Sequence, residues 1–348
     1  MTDTLVISLD AMGGDSAPQI VVEGAALARE RHPDVRFLLY GDETKIAPLL
    51  DQHPLLAAVT TVHHTDSLIR NEDKPSTALR SGRDSSMRLA IVEVRDGHAA
   101  AVVSAGNTGA LMAMAKFVLK TLPGIARPAI AGIIPTARAE TAMLDLGANI
   151  QCDAENLVQF AVMGEVFART VLGLERPIIG LLNIGVEDMK GVEAVREAAA
   201  ILRETRLPIV FKGFIEGNDI TAGTVDVVVT DGFTGNVALK TAEGTASMYS
   251  GFLKEAFRSS WMSKLGYLFA RRSMQNLRTR FDPRRYNGAM LLGLNGIVVK
   301  SHGGTDEFGF ANAIGVAVDM ANHGFIEKMT DDFNSLQAEV NSPKEATG

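Results

Sequence analysis

The sequence is short of cysteine, aromatic residues and long apolar runs. One of its 348 residues is a cysteine, Cys152, which excludes an intrachain disulfide framework and suits a reducing cytosol. A lone cysteine is read as a small core residue rather than a nucleophile. No run approaches 18 uninterrupted apolar residues, so no transmembrane helix is expected. The first residues run into a strand pattern, LVISLDA, without a basic start or leader-like core. A formal net charge of −7 leaves no overall nucleic-acid footprint. There is no Walker-type P-loop and no G-x-G-x-x-G fingerprint. H-E-x-x-H and paired cysteines are absent, so zinc is not expected, and no G-x-S-x-G elbow occurs.

What is present is glycine, 33 residues of it, in a chain that is 46% hydrophobic, as a buried sheet with many tight turns requires. The organising stretch is Val102–Leu111, VVSAGNTGAL. An apolar run stops at Ser104, Gly106 and Gly109 bracket Asn107 and Thr108, and an apolar-periodic segment, Ala110–Leu122, follows. That pattern predicts a strand, a tight turn and a helix start, whose exposed amides and positive dipole end suit an anion. Asp226–Val237, DVVVTDGFTGNV, repeats the design with Asp231, Gly232, Thr234, Gly235 and Asn236.

The rest alternates as parallel βαβ units do. Leu5–Leu9, Val35–Tyr40 and Val59–His63 read as strands, with helices over Ile20–Arg31 and Thr44–Leu50. Gly13 and Gly14 follow the first strand and Asp10. Lys74-Pro75-Ser76 opens a predicted helix to Glu93 that offers Lys74, Ser76, Arg80 and Arg83, either an ordinary cationic helix start or a phosphate clamp. Ile130–Ile134 and Ala142–Leu146 read as an apolar hairpin or adjacent strands, the second leading through Asp145 to Asn149. Helices are predicted over Ala154–Leu172, Val192–Arg203, about Asn312–Ala321 and Asp331–Val340. Strands at Ile178–Ile184, Ile209–Ile215 and Gly296–Lys300 end near Asn183 and Lys190, Asn218, and His302. In open parallel sheets ligands bind outside the carboxyl ends of strands, and the polar groups collect there.

Gly251–Arg285 departs from this pattern. Trp261, Leu265, Leu268 and Phe269 recur at mostly helical spacing, among basic residues that include Arg271 and Arg272. Only Glu255 and Asp282 oppose them. The stretch is either a core helix with a solvated face or a surface pair that meets anionic lipid or an acidic partner. We expect one α/β domain over 1–340, with a helical segment at about 245–287 and a polar tail at 341–348.

Eight motifs, in order over about residues 5–325, carry a family resemblance. They are Asp10–Asp15, Lys74–Ser76, Ser104–Gly109, Leu144–Asn149, Leu182–Gly185, Gly213–Asp219, Asp231–Asn236 and Lys300–Gly303. Together they resemble the phosphate acyltransferases of bacterial phospholipid synthesis. The resemblance implies a fold of mostly parallel sheet flanked by helices, similar to the isocitrate/isopropylmalate dehydrogenases and phosphotransacetylases, with a protruding basic amphipathic helical segment. It implies attack of inorganic phosphate on a fatty acyl thioester of acyl carrier protein, without cofactor or metal. It also implies a cytoplasmic homodimer, peripherally bound to anionic membrane, that feeds a downstream membrane acyltransferase.

On that resemblance Gly106, Asn107, Thr108 and Gly109 hold phosphate with help from Lys74, Ser76 or Arg80. Lys190 and Asn236 polarise the thioester carbonyl, Asp231 orients one of them, and His302 protonates the leaving thiolate or is structural. Asp10, Gly13, Gly14, Asp145, Asn149, Asn183 and Asn218 support the turns. Trp261, Leu265, Leu268, Phe269, Arg271 and Arg272 meet membrane or carrier. A phosphotransacetylase acting on a coenzyme A thioester, and a non-catalytic lipid- or carrier-binding dimer, remain as other readings.

Overall fold

In the computed structural model, which describes residues 4–205 and 209–341, strand and helix alternate from the start. The first part runs β1 (Val6–Asp10), α1 (Gln19–Arg31), β2 (Arg36–Gly41), α2 (Glu43–Leu50), α3 (Pro54–Ala57) and β3 (Thr60–His64). Then come α4 (Pro75–Ser81), α5 (Ser86–Arg95), β4 (Ala101–Ser104) and α6 (Thr108–Leu119). The middle holds β5 (Ala129–Pro135), β6 (Glu140–Leu144), α7 (Ala154–Val171), β7 (Ile178–Leu182), α8 (Glu193–Glu204), β8 (Val210–Ile215), α9 (Gly217–Ala222) and β9 (Val227–Val229). The last part holds α10 (Gly232–Arg258), α11 (Trp261–Arg280), a 3-10 turn (Pro283–Tyr286), β10 (Ala289–Leu292), β11 (Ile297–Lys300), α12 (Glu307–Asn322) and α13 (Phe325–Asn341). Of the expected polar tail at 341–348, residues 342–348 lie outside the described residues.

All eleven strands join one sheet in the order β3-β2-β1-β4-β11-β10-β5-β6-β9-β7-β8. Most neighbours are parallel, but β10 is antiparallel to both β11 and β5, and β5 is antiparallel to β6. Strands β1–β4 and β11 therefore run one way and β6–β9 the other. The expectation of polar groups gathered along one carboxyl edge is corrected here: the two parallel groups have opposite carboxyl edges. A twist of about 20–25° per strand turns the groups across one another rather than leaving them directly opposed.

The strands are apolar on both faces because helices cover both, as a largely parallel sheet requires. Helix α7 is buried nearly all round, with Phe160 and Phe167 fully enclosed, each contributing about 2–3 kcal/mol. Its one buried charge, Glu165, is matched by Arg169 at 2.9 Å, which also reaches Asp332 at 2.5 Å.

Four local expectations differ from the structure. The helix expected from Ser76 to Glu93 is two helices, α4 and α5. They break at Gly82, whose backbone lies so close to Ile69 and Met114 that a Cβ would stand 2.6 and 2.8 Å from their terminal carbons. Ser85 then caps α5 by accepting from Arg88 N–H. The polar end read after Ile209–Ile215 opens the short helix α9, which was not expected. Strand β10 was not expected at all, and α12 starts earlier, where Asp306 accepts from Gly309 N–H at 3.0 Å. The basic stretch forms α10 and α11. Only Gly232 and Gly235 of α10 are buried, and Trp261 and Phe269 are 74% and 83% exposed.

Candidate active site

The first group of predicted residues forms where β1, β4 and β11 end side by side. Asp10 is buried and accepts from Ser86 Oγ at 2.6 Å, Ser104 Oγ at 2.7 Å and Met12 N–H at 3.3 Å. Burial pushes its carboxyl above the ordinary value, opposed by the two hydroxyls and by Lys300. Ser104 Oγ in turn accepts from Gly106 N–H at 3.1 Å. Gly13 packs onto this knot so closely that a Cβ would lie 2.5 Å from Asp10 Oδ2 and 2.7 Å from Gly106 N. Gly14, with φ +110°, turns the chain so that Asp15 N–H donates to Gly303 O at 2.9 Å.

Asn107 caps α6, its Oδ1 accepting from Ala110 N–H at 3.0 Å. Its Nδ2 donates to Asn71 O at 2.7 Å and Asp73 O at 3.0 Å, and Asn71 Nδ2 reaches Asp15 Oδ1 at 2.9 Å. The side chain expected to hold phosphate is thus engaged on both sides, and so is the Gly106 amide. What the turn leaves open are the first amides of α6, Thr108 and Gly109, which no intrahelical carbonyl can reach. Gly109 abuts Pro75, bringing the start of α4 alongside. Lys74, Ser76 and Arg80 are exposed there, and none has an ion pair among the described residues.

His302 follows β11. Its N–H donates to Asn287 Oδ1 at 2.8 Å, and its Nδ1 accepts from Gly304 N–H at 3.1 Å. The neutral imidazole therefore carries its proton on Nε2, which bonds to none of the described residues.

The second group forms at the end of β6. Asp145 is fully buried and accepts from the amides of Ile130 (2.9 Å), Ala148 (3.1 Å) and Asn149 (2.6 Å) and from Asn149 Nδ2 (3.0 Å). Burial raises its pKa and those donors oppose the rise. Asn149 Nδ2 also reaches Pro128 O, and Gly232 N–H donates to Asn149 O at 2.7 Å, which seats α10. Gly235 fits only because it lacks a Cβ, whose place the Asp145 carbonyl oxygen occupies. Asn236 Nδ2 donates to Leu146 O at 3.1 Å beside Gly147. Asp231 caps α10 with both oxygens on Thr234, at 2.9 and 2.7 Å, and neither lies on Lys190 or Asn236.

Asn183 Nδ2 holds Lys190 O at 3.1 Å and shapes the loop after β7, while the Lys190 side chain is exposed. Asn218 is exposed on α9, where its carbonyl accepts from Thr221 Oγ1. Among the described residues no hydrogen bond or ion pair joins the Asp10–Asn107–His302 group to the Asp145–Asn236–Lys190 group. Two open cavities of about 370 and 360 Å³ lie elsewhere and touch none of these residues.

Sequence reasoning missed Lys300. It pairs with Ser104 across β11 and β4, is 9% exposed, and donates to Ala105 O at 3.2 Å and to Ser301 O. Burial lowers its ammonium from 10.5 to about 8, against the attraction of Asp10 and Asp15. A lysine closing the buried run GIVVK was the available signal. Ser86, Asn71 and Asn287 were also missed, since each acts on residues distant in sequence. For a metal, the described residues offer one converging set, Asp42, His64 and Asp66, outside both groups. His64 Nδ1 there already accepts from Glu43 N–H, and Asp42 caps α2 through Thr44 N–H.

Residues 5–328 match the family described as "Fatty acid synthesis protein". The phosphate acyltransferase of Paramagnetospirillum magneticum is 62% identical over 349 residues, covering 100% of this chain and 99% of that one. That of Rhodospirillum centenum is 65% identical, covering 97% and 95%. Among solved structures, a phosphotransacetylase from Streptococcus pyogenes superposes with a TM-score of 0.62 at 17% identity, covering 92% and 95%. A putative 4-hydroxythreonine-4-phosphate dehydrogenase from Salmonella typhimurium gives 0.55 at 14%, covering 92% and 100%. At that identity the two structures are alike in fold.

Proposed function

The chain belongs to the phosphate acyltransferase family, and we propose that it moves a long-chain acyl group from the thiol of acyl carrier protein to inorganic phosphate. The observation that carries the reading is the meeting of the α4 and α6 starts. The start of α6, with its open amides at Thr108 and Gly109, abuts the start of α4 at Pro75, and Lys74, Ser76 and Arg80 of that segment are exposed with no ion pair among the described residues. Such a corner seats a multiply charged oxyanion and supplies no covalent nucleophile of its own. A bound phosphate is itself the nucleophile, so the protein's work is positioning and charge stabilisation.

In the reaction a phosphate oxygen attacks the thioester carbonyl carbon. The carbonyl electrons move onto oxygen, and their return breaks the carbon–sulfur bond. Acyl phosphate and a thiolate result. Lys190 and Asn236 are the donors for the transient oxyanion, each worth about 3 kcal/mol when well aimed. His302 Nε2–H donates a hydrogen bond to the departing sulfur, and the thiolate, with a pKa of about 8.5, takes its proton from solvent. Asp10, Lys300 and Asn107 hold the phosphate turn; Asp145 and Asn149 hold the turn that carries Asn236.

The acyl phosphate then serves phospholipid synthesis through a membrane acyltransferase. The chain works as a homodimer, and the α10–α11 hairpin is its contact with anionic membrane. Trp261, Leu265, Leu268 and Phe269 are exposed there beside Arg271 and Arg272, which supports that role. No helix among the described residues is long and apolar enough to cross a membrane.

The test is thiol release from palmitoyl carrier protein, with acyl phosphate trapped by hydroxylamine. Release that requires phosphate and yields acyl hydroxamate is expected. Release without phosphate would mean a thioesterase, and much faster turnover of acetyl-CoA would mean a phosphotransacetylase.

A further inference from the structure

Helices α5 and α6 carry a second basic surface that the reaction does not use. Phe117, 52% exposed, lies between two cations: the Arg88 guanidinium is 5.0 Å and the Lys120 ammonium 4.8 Å from its ring centre. Lys120 has φ +64° and is the one residue other than glycine, among those described, in the left-handed region. Glycine would take that helix-ending position without strain, so the lysine side chain is retained against a backbone cost. Arg88 is also crowded. Burial first, then repulsion from Arg83 and Arg95, lowers its pKa. Arg83, Arg88, Lys116 and Lys120 have no ion pair among the described residues. The acids nearby are engaged, Glu93 with His98 and Asp96 with Arg95, apart from Asp84. Like charges gathered around an exposed ring, in a chain of net charge −7, are complementary to an anionic surface.

We propose that the Arg88–Phe117–Lys120 surface is where an acidic carrier protein docks to deliver its acyl thioester. The proposal rests on the carrier being the acyl donor. Helix α6 connects the two places: its first turn is the phosphate turn, and Phe117 lies about 15 Å further along its axis. A carrier seated at this distance presents its thioester on an extended arm, without having to enter the site itself. The occupant is a protein rather than lipid because the surface has one aromatic ring amid cations. The broad apolar face lies instead on α10–α11, where Trp261, Leu268 and Phe269 are exposed. The carrier and the membrane thus take separate surfaces.

The test compares wild type with Arg88→Glu/Lys120→Glu and with Lys120→Gly, assayed with palmitoyl carrier protein and phosphate. Lys120→Gly relieves the left-handed backbone, so a fall in activity there is not a folding defect. The double variant is expected to raise KM for the acyl carrier at least tenfold and Lys120→Gly about threefold, with KM for phosphate and kcat within twofold. An unchanged carrier KM in both variants overturns the proposal. So does an unchanged carrier KM with lost binding to phosphatidylglycerol vesicles, which would assign the surface to lipid. A carrier KM that responds only to Arg271→Glu/Arg272→Glu would move the docking face to α11. Wild type that turns over no carrier-borne thioester overturns the functional reading itself, a result distinct from wild-type turnover with unresponsive variants.

Discussion

Asn107 Nδ2 lies 2.7 Å from the carbonyl of Asn71, thirty-six positions earlier, while Oδ1 of the same amide caps α6. One side chain thus fixes both the start of α6, the proposed phosphate site, and the loop that leads to Lys74. Asn107→Ala removes the cap and frees the loop. We expect a loss of about 1–2 kcal/mol in stability and a rise of at least about tenfold in KM for phosphate. Asn107→Asp keeps the cap but sets a carboxylate oxygen against the Asn71 and Asp73 carbonyls, so its melting temperature should fall at least as far as that of Asn107→Ala. Thermal melts and phosphate titrations check both.

Lys190 presents the opposite case. Its side chain is exposed and has no ion pair among the described residues, so Lys190→Ala should leave the melting temperature within about 1 °C. Turnover should drop at least about tenfold if the ammonium polarises the thioester carbonyl. A normal rate at saturating substrates would remove Lys190 from the site.

Asp145 holds five protein amide donors in the interior, the Gly147 N–H at 3.3 Å among them. Asp145→Ala leaves them without an acceptor, at a cost of about 4 kcal/mol or roughly 5–6 °C in melting temperature. Asp145→Asn, which keeps one oxygen, should lose less. Calorimetry of the two variants distinguishes a structural carboxylate from one needed only for turnover.

Lys300 makes the fold sensitive to alkaline pH. Its pKa falls from 10.5 to about 8 on burial, so between those values the unfolded chain holds a proton that the folded chain has released. Unfolding then takes up a proton, and stability from this group rises with pH from 8 to 10.5. The gain is complete above 10.5 and absent below 8. Relative to Lys300→Met, wild type should gain up to about 3 kcal/mol across that window. Chemical denaturation at pH 7.5, 9 and 10 measures it. Activity should move the other way, with KM for phosphate rising above pH 8 as the charge under the turn is lost.

The two glycine turns were legible in the sequence because their chemistry is local. Asn107 and Asp231 cap the helices that follow them within three residues, and the valine runs before them are long enough to read as strands. The break at Gly82 was not legible, because the turn after it is held by Thr65 on Asp84 O, Ser67 O on the Ser86 amide and Asp10 on the Ser86 hydroxyl, all remote in the chain. Strand β10 was hidden by its length, four residues without polar alternation after a basic helix. Without β10 the reversal of the sheet could not be foreseen, and the polar strand ends looked like one set. The pairing of Ser86 with Asp10, seventy-six residues apart, is equally invisible to pattern.

The α10–α11 hairpin stands on two feet, one at each end of the same strand. Gly232 and Gly235 press α10 onto the turn that follows β6, and Arg280 Nη2 ties α11 to Thr136 O and Ala137 O, just before β6, at 3.0 and 2.9 Å. With β6 buried along most of its length, that footing is stiff. Helix α10 is about 40 Å long, so it acts as a lever whose short end carries Asn236 and whose long end is out in solution. A turn of about 1° at that footing carries the far end through about 0.7 Å, so the direction of the whole hairpin is set where Gly232 and Gly235 meet the Asp145 turn.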